Sequence, residues 1–161
     1  MTDNAGSKQS PKPPSVPPRW FVVAAWAIHR AIFRFTGGRR GLWMAKPEKW
    51  GTMRLHTVGR RSGQERIAIL GYQPDGDNLV TVAMNGWGEG DPKWWLNLQA
   101  NPDATVELKD ETRSVRARAA AGEEVARLWR LFPGSAAYVE ARSTKTPVVV
   151  LEPGSSTAAH G

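Results

Sequence analysis

The stretch that decides the fold is WGTMRLHTVGRRSGQERIAILGYQPDGDNLVTVAM, residues 50–84. Three runs in it have the composition of β-strands, and they are separated by GRRSGQ (59–64) and PDGDN (74–78). Glycine next to aspartate is a strong signal for a tight hairpin turn. The third run, LVTVAM (79–84), is almost wholly apolar, which predicts a strand buried on both faces. The stretch therefore predicts two consecutive β-hairpins.

The chain after this stretch alternates short helices with further strands. DPKWWLNLQA (91–100) predicts a helix with Asp91 at the N-cap, Pro92 at the first helical position and a stop at Asn101. The remaining segments are a hairpin over residues 103–120 with its turn near Lys109–Glu111, a helix over 122–132 with an acidic first turn, and a last strand over 146–153. We predict a mostly β fold with rim helices: a small barrel of about six antiparallel strands.

The composition assigns the positive charge to one end of the chain. Residues 1–50 hold nine Lys or Arg against two acidic residues, whereas residues 51–161 hold thirteen of each. A neutral barrel argues against a nucleic-acid partner, because such binding needs a basic face on the folded body. The chain has no cysteine, which excludes disulfides, thiolate nucleophiles and thiolate metal sites, and the three histidines show no metal-ligand spacing.

We divide the chain into a disordered tail (1–18), an N-terminal amphipathic helix with its linker (19–49), a barrel domain (50–153) and a second tail (154–161). The helical run 20–35 would be about 24 Å long, short of a hydrocarbon core of about 30 Å. Arg30 and Arg34 share one face of it, which favours a helix lying on an anionic membrane surface. A helix packed on protein and a signal peptide are the alternatives. The expected location is cytoplasmic, on the inner face of the cell membrane.

Two elements predict a site for an anion. The first is the basic turn, residues 59–64, where Gly59 and Gly63 flank Arg60 and Arg61 and expose the backbone N–H groups from Arg60 to Ser62. Arg66 follows on the next strand, close enough to reach the same anion. The alternative interpretation is an ordinary solvated turn.

The second element is the start of the helix after the loop NGWGEG (85–90), where free N–H groups and the helix dipole attract negative charge. Lys93 adds a charge, and Trp94 and Trp95 offer flat faces for a ring system, unless both rings pack in the core. Together the two elements predict a pocket for a molecule with an anionic tail and an aromatic head.

These motifs also carry a family resemblance. GRRSGQERIAILGY (59–72), the segment 80–110 and VVVLEP (148–153) resemble the deazaflavin-dependent nitroreductases, in the same order and spacing. Members of that family are small oxidoreductases that use coenzyme F420 on a split β-barrel related to the FMN-binding one. The resemblance covers roughly residues 50–153 and implies the same fold and cofactor here.

The resemblance implies four groups of cofactor-binding residues. The phosphate-bearing tail is expected at Arg60, Arg61, Ser62 and Arg66, and the deazaflavin ring beside Ile67, Ala68, Ile69, Leu70 and Gly71. The opposite walls are expected at Val82, Ala83, Met84 and Asn85 and at the helix start, Lys93, Trp94, Trp95, Leu96 and Asn97. Tyr138 matches a tyrosine on the substrate side and is a candidate proton donor or orienting hydroxyl, or else a rim aromatic.

The chain departs from the family pattern at several positions. Met84-Asn85 replaces a Ser-Lys pair, and Lys93 is the candidate source of the missing charge, while Ser135 replaces a second tyrosine and Trp87 a frequent glycine. The implied reaction is hydride transfer from reduced F420 to a quinone, an activated C=C bond or a nitroaromatic. An FMN-dependent split-barrel reductase and a non-enzymatic anion- or nucleic-acid-binding module are the alternatives. His56 is interpreted as structural.

Overall fold

The computed structural model describes residues 41–47, 49–85, 89–133, 140 and 143–155. The predictions for the N-terminal helix, Trp87, Ser135 and Tyr138 lie outside these ranges. The described elements are β1 (Gly51–Val58), β2 (Glu65–Asp75), β3 (Asn78–Val82), α1 (Lys93–Ala100), β4 (Asp103–Glu107), β5 (Thr112–Ala119), α2 (Glu123–Trp129) and β6 (Val148–Pro153).

The six strands close into one barrel in the order β1-β2-β3-β6-β5-β4, and β4 returns to pair with β1. Every neighbouring pair is antiparallel. This confirms the predicted six-stranded antiparallel barrel with helices beside it. The β2–β3 hairpin turns over Gly76 and Asp77, and Gly76 has a φ of 60°, a left-handed conformation that favours glycine.

The barrel interior is filled by alternate residues of all six strands, because successive side chains of a strand point to opposite faces. Met53 and Leu55 of β1 are fully buried there. The interior cluster consists of Met53, Leu55, Tyr72, Leu79, Ala83, Trp94, Trp95, Leu98, Val106, Leu108, Val115, Ala117, Val149 and Leu151. α1 therefore belongs to the core of the barrel through three of its side chains.

A second cluster lies outside the barrel, over β3 and β6. Its buried members are Val80, Val82, Leu128, Phe132, Val148 and Val150. Leu79 faces the interior and Val80 the outer cluster, which confirms that the third strand is buried on both faces. β3 ends at Val82, two residues earlier than predicted, although the N–H of Ala83 still donates to the carbonyl of Pro147 at 2.9 Å.

The start of α1 corrects one prediction. Pro92, not Asp91, is the N-cap, because its ψ of 148° is extended and helical geometry begins only at Lys93. The carbonyl of Pro92 accepts hydrogen bonds from the N–H groups of Trp95 and Leu96, at 3.0 and 3.2 Å. The helix ends at Asn101, as predicted.

The segment before β1 packs on the barrel and leaves an apolar tip in solvent. Leu42 is buried, and the carbonyl of Trp43 accepts a hydrogen bond from the N–H of Thr52 at 2.9 Å. The side chains of Trp43 and Met44 are each 44% exposed. No helix in the described ranges is both long enough and apolar enough to cross a membrane.

Candidate functional site

The basic turn is held in one shape by its own backbone. The N–H of Gly59 donates to the carbonyl of Gln64, and that of Gly63 to the carbonyl of Gly59, both at 2.8 Å. Gly63 has a φ of 67°, and a Cβ on Gly59 would lie 2.8 Å from the hydroxyl oxygen of Ser62. Both glycines are therefore required by the turn.

Asn97 of α1 reaches the turn and corrects the prediction for Arg60. The backbone N–H of Arg60 donates to Asn97 Oδ1 at 3.1 Å, so it is not free for a ligand. The N–H groups left for an anion are those of Arg61 and Ser62. Sequence spacing gave no signal for this contact, since the two residues are 37 positions apart.

The cations around the turn have no acidic partner in the part of the chain that the structure describes. Within the described residues, no carboxylate lies within 4.0 Å of the side-chain nitrogens of Arg60, Arg61, Arg66 or Lys93. Arg66 Nη2 lies 3.4 Å from Ser62 Oγ, so its charge points back to the turn as predicted. Among the described residues, these groups have no carboxylate to release before they could meet an anion.

Beside the turn, β2 has an open edge. Its pairing with β3 covers only Gln73 to Asp75, and among the described residues no strand pairs with its Ile67–Gly71 portion on the side away from β1. The two strands separate where the Thr81 hydroxyl donates to the carbonyl of Gly71 at 2.8 Å. Apart from that carbonyl, the backbone groups of residues 67–71 that point away from β1 have no strand partner among the described residues.

The side chains of this portion alternate between the interior and the outside. Ala68 and Leu70 pack against the interior cluster, whereas Ile67 is 48% exposed. A Cβ on Gly71 would lie only 2.7 Å from Cε3 of Trp50. Trp50 therefore lies against the outer face of β2 at Gly71, next to one end of the open edge, a contact the sequence analysis missed, although a glycine within a strand is a known sign of close approach.

The two tryptophans of α1 do not offer their faces to a ligand. Trp94 and Trp95 are 8% and 5% exposed and belong to the interior cluster, which favours the alternative of core packing for both rings. Trp95 Nε1 is buried and, within the described residues, has no hydrogen-bond partner. The start of α1 remains a candidate for anion binding through Lys93 and the N–H groups of the first turn.

The remaining predicted residues lie at the end of β3 and on α1. Val82 and Met84 belong to the outer cluster or pack against it, and Asn85 is exposed. Leu96 is half-buried beside Asn97. His56 lies on the outer face of β1, with Nδ1 2.8 Å from Glu65 Oε1 and Nε2 2.8 Å from Glu107 Oε1, in keeping with a structural role between strands.

The arrangement fits an elongated ligand with an anionic tail and a planar head. The unpaired arginines and the backbone of the basic turn suit a phosphate. The adjoining open edge, bounded by Trp50 and by the end of β3, suits a ring with polar atoms on its rim. A tailed flavin or deazaflavin has both parts.

Comparison with known proteins identifies the family. The family model described as F420H(2)-dependent quinone reductase matches residues 26–153. An F420H(2)-dependent quinone reductase of Mycobacterium tuberculosis is 34% identical over 131 residues, which are 77% of this chain and 87% of the relative.

Two solved structures share the fold. An F420-H2 dependent reductase, FDR-A, superposes with a TM-score of 0.58 at 28% identity, covering 63% of this chain and 93% of its own. A protein solved as a domain-swapped dimer gives a TM-score of 0.60 at 25% identity, covering 81% of this chain and 99% of its own. The resemblance inferred from the motifs is confirmed, and the chain belongs to the F420H(2)-dependent quinone reductase family of F420-dependent oxidoreductases.

Proposed function

We propose that this chain transfers a hydride from reduced coenzyme F420 to a quinone, with the cofactor's tail on the basic turn and its ring along the open edge of β2. The observation that carries the proposal is that, among the described residues, Arg60, Arg61 and Arg66 meet no carboxylate and lie next to a strand edge that no other strand pairs with. Family membership supplies the cofactor and the acceptor class.

Each part of the site has one task in this scheme. Arg61, Arg66 and the Ser62 hydroxyl bind the tail phosphate through charge-assisted hydrogen bonds. Lys93 and the free N–H groups at the start of α1 would bind the anionic edge of the ring. When bound, reduced F420 supplies the hydride, and the protein supplies orientation and charge.

The substrate side depends on residues at the rim of the open edge. Trp50 and Met84 limit the space at one end, and both pack against the outer cluster. Tyr138 is proposed as the hydroxyl that orients the acceptor or donates a proton to it. A Tyr138→Phe variant separates the two roles, since loss of a proton donor lowers kcat, whereas loss of an orienting hydrogen bond raises KM.

Binding of the cofactor is tested by titration. The eight tryptophans serve as the reporter, with F420 in both oxidation states and FMN as ligands. We expect saturable quenching by F420 and much weaker binding of FMN, and a strong loss of F420 affinity in Arg60→Ala with Arg61→Ala. Turnover with a menaquinone analogue should exceed that with a nitroaromatic. Tighter binding of FMN would favour the flavin alternative.

The quinone acceptor class motivates a second proposal, peripheral contact with an anionic membrane surface. Residues 20–35 are expected to contribute, and Trp43 and Met44 extend an apolar tip next to the exposed side chains of Lys46 and Lys49. Apolar and cationic groups side by side are the requirement for binding at a charged lipid interface.

Sedimentation with vesicles tests the membrane contact. The full chain should sediment with vesicles rich in phosphatidylglycerol and stay in solution with phosphatidylcholine alone. Deleting residues 1–40 should weaken sedimentation, and Trp43→Ser with Met44→Ser in that background should abolish it. Undiminished sedimentation of the deletion variant carrying both substitutions would exclude this surface.

A further inference from the structure

The side chain of Asn97 uses both ends of its amide to join α1 to the basic turn and to β1. It is buried, at 4% exposure. Oδ1 accepts from the backbone N–H of Arg60 at 3.1 Å and lies 3.5 Å from Arg60 Nη1, while Nδ2 donates to Thr57 Oγ1 at 3.3 Å. The amide orientation follows from its partners, because both groups of Arg60 can only donate.

Thr57 continues the network under the turn. Its hydroxyl oxygen accepts from Asn97 and lies 3.3 Å from the carbonyl of Arg66, to which it donates. Arg60 in the basic turn and Arg66 after it are therefore linked to the same amide, the first directly and the second through Thr57. A buried amide with all of these partners is expensive to replace, because each partner would lose its hydrogen bond away from water.

We propose that Asn97 is a positioning residue, which sets the basic turn in the shape that grips the cofactor's anionic tail without itself touching the cofactor. This inference rests on the proposed function, since it takes the turn as the tail site. It departs from the family-based expectation that Asn97 is a cofactor contact, because both ends of its amide are already used inside the protein.

The physical reason is preorganisation. The turn is exposed from Arg60 to Gln64, and ordering such a loop on binding would cost conformational entropy. Asn97 fixes the turn before the ligand arrives. It also draws the Arg60 guanidinium toward α1, which leaves Arg61 and Arg66 as the charges that meet the tail.

The first experiment needs no ligand. Amide hydrogen exchange is measured at Arg60 in the wild-type chain, in Asn97→Leu and in Asn101→Ala. Asn101 is a matched control, because its Oδ1 accepts a backbone N–H from Asp103 at 3.2 Å just past the other end of α1. We expect exchange at Arg60 to be at least tenfold faster in Asn97→Leu and unchanged in Asn101→Ala. Equal exchange in all three would show that Asn97 does not hold the turn.

The second experiment compares two ligands, F420 and the deazaflavin riboside that lacks the phosphate-bearing tail. Asn97→Leu should bind F420 at least tenfold more weakly but bind the riboside within twofold of wild type, and Asn101→Ala should change neither. Equal losses for both ligands would indicate general damage to the site and would overturn the positioning role.

A double substitution tests the coupling between Asn97 and Arg61, which share no contact. In Asn97→Leu, the further change Arg61→Ala should cost less F420 affinity than it does in wild type, because the turn is already misplaced. Additive losses would overturn the proposal. Should Asn97→Leu fail to fold, Thr57→Val keeps the shape of β1 and should weaken F420 binding about threefold without affecting the riboside; equal effects on the two ligands would again count against the role.

Binding of F420 by the wild-type chain and by Asn97→Leu distinguishes failure of the proposed function from failure of the positioning role. Failure of the wild-type chain to bind F420 would remove the proposed function together with this role. Tight F420 binding that is indifferent to Asn97→Leu would remove the positioning role alone.

Discussion

Two sets of arginines in this molecule differ in what they are paired with. Arg116, Arg118 and Arg127 each meet a carboxylate within 2.9 Å. Arg61 and Arg66 have no such partner within the described residues. The paired set ties elements of the fold together, whereas the unpaired set is held in place by glycine turns and hydrogen bonds to neutral groups. The difference indicates which charges serve the fold and which are available to a ligand.

The largest expected effect is on the unpaired set. Arg61→Ala with Arg66→Ala should weaken F420 binding about 100-fold or more, because each charge-assisted hydrogen bond contributes about 1.5–3 kcal/mol and about 1.4 kcal/mol corresponds to tenfold. Titration at fixed ionic strength measures the change. Arg116→Ala is the control and should leave the affinity unaltered. Equal losses from the two variants would erase the distinction between the sets.

The second-largest expected effect is that added salt weakens F420 binding by the unpaired arginines more than it weakens the folded state that the paired arginines stabilise. Raising the salt from about 0.1 M to about 1 M shortens the screening length from about 10 Å to about 3 Å. F420 affinity should fall by about tenfold, since the exposed arginines attract the tail through water. The urea midpoint of unfolding should move little over the same range. A salt-independent affinity would mean that the tail is bound without these charges.

Within the paired set, Arg118 should matter most for stability. Its guanidinium donates to both oxygens of Glu124, at 2.7 and 2.9 Å, and to Glu152 at 2.7 Å. Arg118→Gln should lower the free energy of unfolding by about 1 kcal/mol, the scale of partly exposed ion pairs, with F420 affinity preserved. Urea denaturation measures this loss of stability. An unchanged midpoint would show that the ion pairs of Arg118 do not contribute to the stability of the fold.

The smallest expected effect is the acid dependence of the Arg127 pair. Hydrogen bonding to Arg127 lowers the pKa of Asp75 below its usual range, in spite of opposing desolvation. The contribution to stability is therefore complete above the unfolded-state pKa, near 4, and is lost as the pH falls through the lower folded value. Arg127→Gln should be less stable than wild type at pH 7, and the gap should close near pH 2. If the difference in stability between the two proteins persists at pH 2, the effect of the substitution comes from lost packing and not from the ion pair.

Local patterns predicted the elements well because hairpin turns and amphipathic alternation act over a few residues. The PDGDN turn and the helix stop at Asn101 follow from such signals. Closure of the barrel depends on the pairing of Arg54 with Glu107, which lie far apart in the sequence. The split-barrel assignment accordingly came from the family resemblance.

The candidate site was predicted less completely, for two physical reasons. Trp94 and Trp95 follow each other on a short helix, and the pattern could not tell that both rings turn inward. Asn97 reads as one more polar residue on α1, and only the packing of that helix beside the turn gives its amide a role. The glycine at position 71, within a strand, was the sequence feature that could have indicated the close approach of the Trp50 ring.

The incomplete pairing of β2 has a consequence beyond catalysis. Within the described residues, the strand from Ile67 to Leu70 presents backbone donors and acceptors that another extended chain could match, which is how edge-to-edge aggregation begins. A cofactor ring bound at this edge would cover these backbone groups. The supply of cofactor during synthesis should therefore influence how much of the protein accumulates without aggregating. Glu65 and Arg66, charged and exposed at the start of the same strand, give the empty protein partial protection against such association.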